Sequence, residues 1–277
     1  MSITSVLRPN KFRLLVVSLL CLLLAACGKN TNNTPQKQVQ QSQTTSNTSE
    51  SDNANPEFQK IKIKAETGDS YSQLKLGYMY QVGEKIGKNY EKAVYWYQKA
   101  ADQGVAHAQT NLGFMYYEGK GVKQNYEKAF HWYQKAAEQG DKLAESVLGG
   151  MYSNGKGVTQ NQEKAFYWHQ KAAVQGHKES QFNVGAMYRD GRGTVKDYEK
   201  AIYWFQKSAD QGDPIAQNNL GIMHEMGHGV PQSYEKAVYW YQKAAEQNHL
   251  KAQFNLAVSY ETGNGVKQDY EKVIYWY

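Results

Sequence analysis

The chain has 277 residues, 40% of them hydrophobic and 21% charged, with 24 Gly, 5 Pro, 22 Tyr, 6 Trp and 2 Cys. That apolar content supports a packed core and excludes a wholly disordered or collagen-like chain; two cysteines exclude a disulfide-stapled scaffold and a four-cysteine zinc module. The formal charge of +6 indicates an acidic partner only if it belongs to the folded part.

The chain opens with Arg8, Lys11 and Arg13 ahead of an apolar run from Leu14 to Leu24. A membrane span needs about 20 apolar residues, so this shorter run reads as the apolar region of a secretory signal. It ends in Leu24-Ala25-Ala26-Cys27-Gly28, which resembles a bacterial lipobox. The resemblance implies a lipoprotein signal peptide over 1–26 and lipidation at Cys27. Gly28, rather than Asp, resembles the outer-membrane sorting pattern of a diderm bacterium. Cys21 leaves with the signal, so the mature fold has no disulfide and no catalytic thiol. Acyl chains contribute about 0.8 kcal/mol per buried methylene, so an anchor of several chains is effectively permanent. Taking Arg8, Lys11 and Arg13 from 32 basic residues leaves 29 against 26 acidic ones, a charge of +3. The case for nucleic acid as a partner goes with them.

A tether follows. Residues 28–56 hold 20 Asn, Gln, Ser or Thr among 29, with Val39 and Ala54 as the ordinary apolar residues. Such composition does not offset its ordering entropy, so disorder is expected. A flexible chain of this length reaches roughly 30 Å and would hold the folded part off the membrane.

The remainder repeats one unit. Trp96, Trp132, Trp168, Trp204, Trp240 and Trp276 recur every 36 residues, each behind a Glu-Lys pair from Glu91-Lys92 to Glu271-Lys272. Leu76-Gly77, Leu112-Gly113, Leu148-Gly149, Val184-Gly185, Leu220-Gly221 and Leu256-Ala257 keep the same period. A fixed period of this size marks a solenoid. In the second copy Ala108, Leu112, Met115 and Tyr116 form one helical face, and Ala129, Trp132, Tyr133 and Ala136 form another. Gly119 suits the positive φ of a helix C-cap and Asn125 suits an N-cap. Each unit is therefore a helical hairpin that covers its neighbour's apolar face, with the tryptophans expected in the core.

These residues resemble the Sel-one-like repeat family, a branch of the tetratricopeptide superfamily. The resemblance runs through Ala108 to Tyr116, Gly119 to Val122 and Tyr126 to Ala137, and covers about residues 57–277. It implies an all-α, right-handed α-solenoid of six helix-turn-helix units. The boundaries are a capping helix at 57–68, then 69–104, 105–140, 141–176, 177–212, 213–248 and a truncated 249–277. Lys85 replaces a loop Gly, Gln162 a Tyr and Val273 an Ala. Some relatives carry a disulfide in each repeat; no Cys stands there in this chain.

His224-Glu225-Met226-Gly227-His228 matches H-E-x-x-H, in which two His hold zinc and the Glu activates water. Its register weakens it. His224 stands where other copies have Tyr80, Tyr116, Tyr152, Tyr188 and Tyr260, and His228 falls beyond the helix-stopping Gly227. The Gly-x-Gly loops lack the preceding strand of a phosphate cradle, and the Glu-Lys pairs read as solvated faces. Neither cofactor, metal nor small-molecule substrate is expected.

In the resembling family first helices line a concave surface. Here that stripe includes Tyr71 and Tyr78; His107, Phe114 and Tyr117; Phe182 and Arg189; Asn218 and Glu225; and Phe254 and Glu261. The third copy contributes Leu143, Ser146, Gly150 and Ser153. These residues differ between copies, and their aromatic content suits an extended protein or peptide segment. The expected function is a membrane-anchored, non-enzymatic adaptor in the bacterial envelope, at the outer membrane facing the periplasm. The resemblance implies an envelope scaffold, a host-contact factor or a toxin-immunity protein. The alternative is a hydrolase acting on cell-wall or β-lactam amides, or a zinc hydrolase through the His224-Glu225-x-x-His228 match.

Overall fold

The computed structural model describes residues 56–83 and 86–277. The signal, Cys27 and the tether up to Asn55 lie outside the described residues, as does Lys85. Among the described residues thirteen helices and no strands occur: α1 (Pro56–Glu66), α2 (Ser70–Val82), α3 (Tyr90–Asp102), α4 (Ala106–Glu118), α5 (Tyr126–Glu138), α6 (Lys142–Asn154), α7 (Gln162–Val174), α8 (Lys178–Asp190), α9 (Tyr198–Asp210), α10 (Pro214–Met226), α11 (Tyr234–Ala245), α12 (Leu250–Thr262) and α13 (Tyr270–Trp276). Each helix packs against its neighbours in sequence. Behind α1, whose Phe58, Ile61 and Ala65 are buried, the chain is an all-α solenoid of six hairpins.

Local chemistry sets the hairpin boundaries. Each second helix begins at a side chain that caps a backbone N–H three residues on: Asn89, Asn125, Asn161, Asp197, Ser233 and Asp269. Asn125 Oδ1, for example, accepts from the Lys128 amide at 2.8 Å, satisfying a donor that the helix cannot. Each first helix ends at a Gly, as at Gly119 with φ 68°, where a side chain would be strained.

Within a hairpin the Leu-Gly pair divides the work. Leu76, Leu112, Leu148, Val184, Leu220 and Leu256 are wholly buried. The following Gly admits an aromatic ring of the second helix: a Cβ on Gly77 would meet Tyr97 at 2.6 Å, and one on Gly221 would meet Tyr241 at 2.4 Å. Tyr97, Tyr133, His169, Phe205 and Tyr241 occupy this deepest register.

The tryptophans stand one residue earlier, and here the expectation needs correction. Trp96 is 9% exposed, but Trp132, Trp168, Trp204, Trp240 and Trp276 are half-buried. They seal the seams between units: Trp204 and Trp240 both lie against the cluster around Phe205, and Trp276 lies against that around Tyr241. Outer edges meet an exposed ring, as in Tyr95–Trp96 at 4.9 Å and Tyr203–Trp204 at 5.1 Å. The Glu-Lys lysines are likewise more than solvated charge. Lys92, Lys128, Lys164, Lys200 and Lys272 place their ammonium groups 4.8–5.5 Å over Tyr80, Tyr116, Tyr152, Tyr188 and Tyr260, a favourable cation–π geometry.

Two devices join the units. The second loop Gly presses on the preceding unit: a Cβ on Gly193 would lie 2.0 Å from the Gln162 carbonyl oxygen, and one on Gly121 2.3 Å from the Tyr90 carbonyl carbon. The other device is a row of glutamines. Gln73, Gln109, Gln181, Gln217 and Gln253 donate to the carbonyls of Ala65, Ala101, Ala173, Ala209 and Ala245 at 3.0–3.3 Å. Four of them also accept from Gln103, Gln139, Gln211 and Gln247 at 2.7–2.8 Å. The Gln-to-Ala bonds bridge units and the Gln–Gln bonds brace them from within one unit, at positions where an unpaired amide would cost about 1–3 kcal/mol.

Candidate functional site

The first helices α2, α4, α6, α8, α10 and α12 carry the variable stripe, which the structure divides by burial. Tyr71 is 72% exposed and Phe254 is 56% exposed; His107 and Glu261 are exposed as well. Tyr78, Tyr117, Phe182, Arg189 and Glu225 are half-buried. Phe114 and Asn218 are 7% and 3% exposed, so they do not form a contact surface. The Lys120 ammonium lies 4.9 Å over the Phe114 ring, and Asn218 accepts from the Asn255 side chain at 3.0 Å.

Other stripe residues also carry internal bonds. His107 Nδ1 lies 2.7 Å from Asp141. Burial works to raise the Asp141 carboxyl, but hydrogen bonds from His107 and the Ala144 amide hold it below the ordinary range. Tyr117 accepts from Lys156 at 3.1 Å, and Arg189 pairs with Asp190 at 2.7 Å and bonds Asn219. The ring of Phe182 is 5.7 Å from that of Phe205. Glu225 accepts from Tyr241, and Glu261 accepts from Tyr277 at 3.4 Å. Burial and the Glu225 carboxylate raise the Tyr241 phenol, keeping it a donor.

The H-E-x-x-H match is taken apart by these contacts. His224 sits half-buried on α10 with Nδ1 unbonded, and burial plus the nearby Lys236 lower its pKa. Glu225 is engaged by Tyr241. His228 lies beyond Gly227, whose φ is 66°, and stacks on Tyr198 of the preceding unit at 4.6 Å and 7°. Glu225 and His228 thus serve two separate contacts.

The third unit departs most from the shared pattern. Glu145 replaces the bridging Gln, is fully buried, and accepts from Gln175 at 2.8 Å. Lys171 approaches its Oε1 at 3.3 Å without hydrogen-bond alignment. Burial raises the Glu145 pKa, against the opposing pull of Lys171. His169 stands where a larger ring stands in the other units. Its Nδ1 has no hydrogen-bond partner, and burial, with His177 and Arg192 nearby, lowers its pKa from 6.5 to about 3. These departures are visible when the copies are aligned, but the costs they carry are not.

Comparison with known proteins follows the same register. A family model described as Sel1 repeat matches residues 70–105, 106–141, 143–177, 178–213, 214–249 and 250–277. The crystal structure of a Sel1 repeat protein from Oxalobacter formigenes is similar at 35% identity and a TM-score of 0.68, covering 76% of this chain and 86% of that one. A protective antigen of uropathogenic Escherichia coli displaying an SLR fold is 31% identical over 79% of this chain and 62% of its own, with a TM-score of 0.46. A sel1-like repeat-containing protein of Acanthamoeba polyphaga mimivirus is 47% identical over 45 residues, 16% of this chain; the match spans 8% of that relative's length.

Proposed function

Since the chain belongs to the Sel1 repeat family, whose solenoids bind protein partners, we propose that it is a non-enzymatic adaptor that seats a protein segment on its first-helix stripe. The carrying observation is the contrast between constant and variable registers. Buried Leu, Gly and Ala positions repeat from unit to unit, whereas the stripe changes and leaves Tyr71, His107 and Phe254 exposed. Exposed aromatic rings supply large, rigid contact area at low entropic cost. Within the H-E-x-x-H match Glu225 is held by the Tyr241 phenol and His228 stacks on Tyr198, which favours recognition over catalysis.

The proposal places the adaptor in the envelope, held by lipid on Cys27, tethered through 28–56 and facing the periplasm from the outer membrane. The lipobox-like Leu24-Ala25-Ala26-Cys27 run supports this reading. The test is capture from a membrane fraction with the full chain, alongside Tyr71→Ala and Phe254→Ala. Loss of the same captured protein from both variants is expected; its retention by both overturns the stripe. Metabolic acylation that persists in Cys27→Ser overturns the anchor.

A further inference from the structure

Two Asn-Gly pairs stand in the chain, Asn154-Gly155 and Asn264-Gly265, and the fold holds them differently. An Asn before Gly loses its side-chain amide when the following backbone nitrogen attacks the Asn Cγ, since Gly has no Cβ to obstruct the approach. That attack needs an unbonded carboxamide and an unbonded amide N–H. Asn154 offers neither. It ends α6, its Nδ2 donates to the Gly150 carbonyl at 2.9 Å, and the Gly155 N–H donates to the Met151 carbonyl.

Asn264 lies in the loop after α12 and is exposed. In four sister loops the residue at this register donates its backbone N–H to a first-helix carbonyl: Lys120 to Met115, Lys156 to Met151, Arg192 to Met187 and His228 to Met223, at 3.0–3.1 Å. Asn264 turns its N–H to Thr262 Oγ1 instead, at 3.4 Å, so this loop closes more loosely. Among the described residues no hydrogen bond holds the Asn264 side chain or the Gly265 amide. The pair also sits on a seam between units. A Cβ on Gly265 would strike the Tyr234 carbonyl of the fifth unit, so the backbone has no room to lengthen there. Sister loops set a cation or a flat ring on the equivalent phenol: Lys120 5.9 Å over Tyr90, Lys156 5.5 Å over Tyr126, and His228 stacked on Tyr198. The face of an aromatic ring is negative, so a carboxylate is disfavoured at this register.

We propose that Asn264 is a spontaneous deamidation site whose product loosens the sixth hairpin from the fifth. The Gly265 nitrogen gives up its proton and bonds to Asn264 Cγ, and the side-chain nitrogen leaves as ammonia, closing a succinimide. Water then opens one of the two ring carbonyls, giving aspartate or isoaspartate; no other reactant is needed. Isoaspartate adds a methylene to the backbone immediately before Gly265, where the Tyr234 carbonyl blocks it. Both products place a carboxylate where sister loops carry Lys120, Lys156, Arg192 and His228. The helix this loosens is α12, which carries Phe254 and Glu261.

The test ages the full chain at mildly alkaline pH, where the attacking nitrogen loses its proton more readily, and maps its peptides by mass spectrometry. Asn264 is expected to convert at least about tenfold faster than Asn154, which must first break two hydrogen bonds. An isoaspartyl methyltransferase should label the Asn264 peptide. Hydrogen–deuterium exchange of the aged chain should rise in α12 and α13 and stay unchanged in α4 and α5. Asn264→Lys, which introduces the residue of two sister loops, should remove the label and the rise together. Conversion at Asn154 as fast as at Asn264, or none at Asn264, overturns the site. Conversion without a rise in exchange, or a rise that persists in aged Asn264→Lys, overturns the loosening.

Discussion

Glu145→Gln should stabilise the protein at neutral pH, although it removes an ion pair. In five sister positions a Gln amide donates to an Ala carbonyl of the preceding unit at 3.0–3.3 Å. The third unit has no amide to donate to Ala137. Restoring that bond is worth about 1 kcal/mol, and the variant also removes a carboxylate with 0% side-chain exposure. The lost pair involves a Lys171 side chain that is 38% exposed, and such surface-side partners contribute about 0–1 kcal/mol. The balance favours the variant by about 1–2 kcal/mol, or a few degrees in melting midpoint for a unit of this size.

The pH dependence checks the cause. A carboxyl whose folded pKa is raised stabilises the fold while protonated, and that contribution is lost as pH rises through the folded value. Burial raises Glu145 above 4.5, so the gap between variant and wild type should be smallest below this value and widen above it. Thermal melts followed by circular dichroism across pH 4–7 measure both, starting from the ordinary carboxyl range. A Gln variant less stable at neutral pH, or a gap independent of pH, would refute the reasoning.

Four further outcomes are expected. Gly193→Ala should cost at least about 2 kcal/mol, since it combines positive φ with a 2.0 Å approach to the Gln162 carbonyl. Gly155→Ala, with φ +67° but a 3.4 Å clearance, should cost about 1 kcal/mol; denaturant midpoints of the two variants measure both. His224→Tyr restores the ring that lies under a lysine in sister units and should gain about 0.5–1 kcal/mol. Because burial depresses His224, its contribution is present above pH 6.5 and lost as pH falls through the folded value; melts of the Tyr variant should lack this acid-side loss. His177 caps the Ser180 amide through Nδ1 at 3.2 Å, and burial lowers its pKa despite the nearby Glu179. His177→Asp, the residue used at Asp141 and Asp213, should therefore extend stability to lower pH.

Repeat register, helix order and caps were legible because Gly, Asn and the apolar period act locally and recur. Depth was not legible. A helical period identifies a face, yet Trp132 and Tyr133 both belong to it, and only the ring accepted by Gly113 reaches the centre. The glutamine row had a visible signal in its fixed register, but its bonds cross some 30 residues of sequence and are invisible to any local pattern. On the stripe, Phe114 and Asn218 looked like surface because their registers vary. The structure buries them under Lys120 and Asn255, while Tyr71 and Phe254 stay open. Variation between copies therefore marks candidates, and burial decides among them.

The central claim is that the first-helix stripe holds the partner. Hydrogen–deuterium exchange of the full chain, free and with the protein captured from membranes, measures this directly. Added protection along the first helices, including α2 and α12 that carry the exposed Tyr71 and Phe254, is the predicted result. Protection confined to the opposite face, on the second helices that carry Tyr95, Tyr167 and Tyr203, would contradict it.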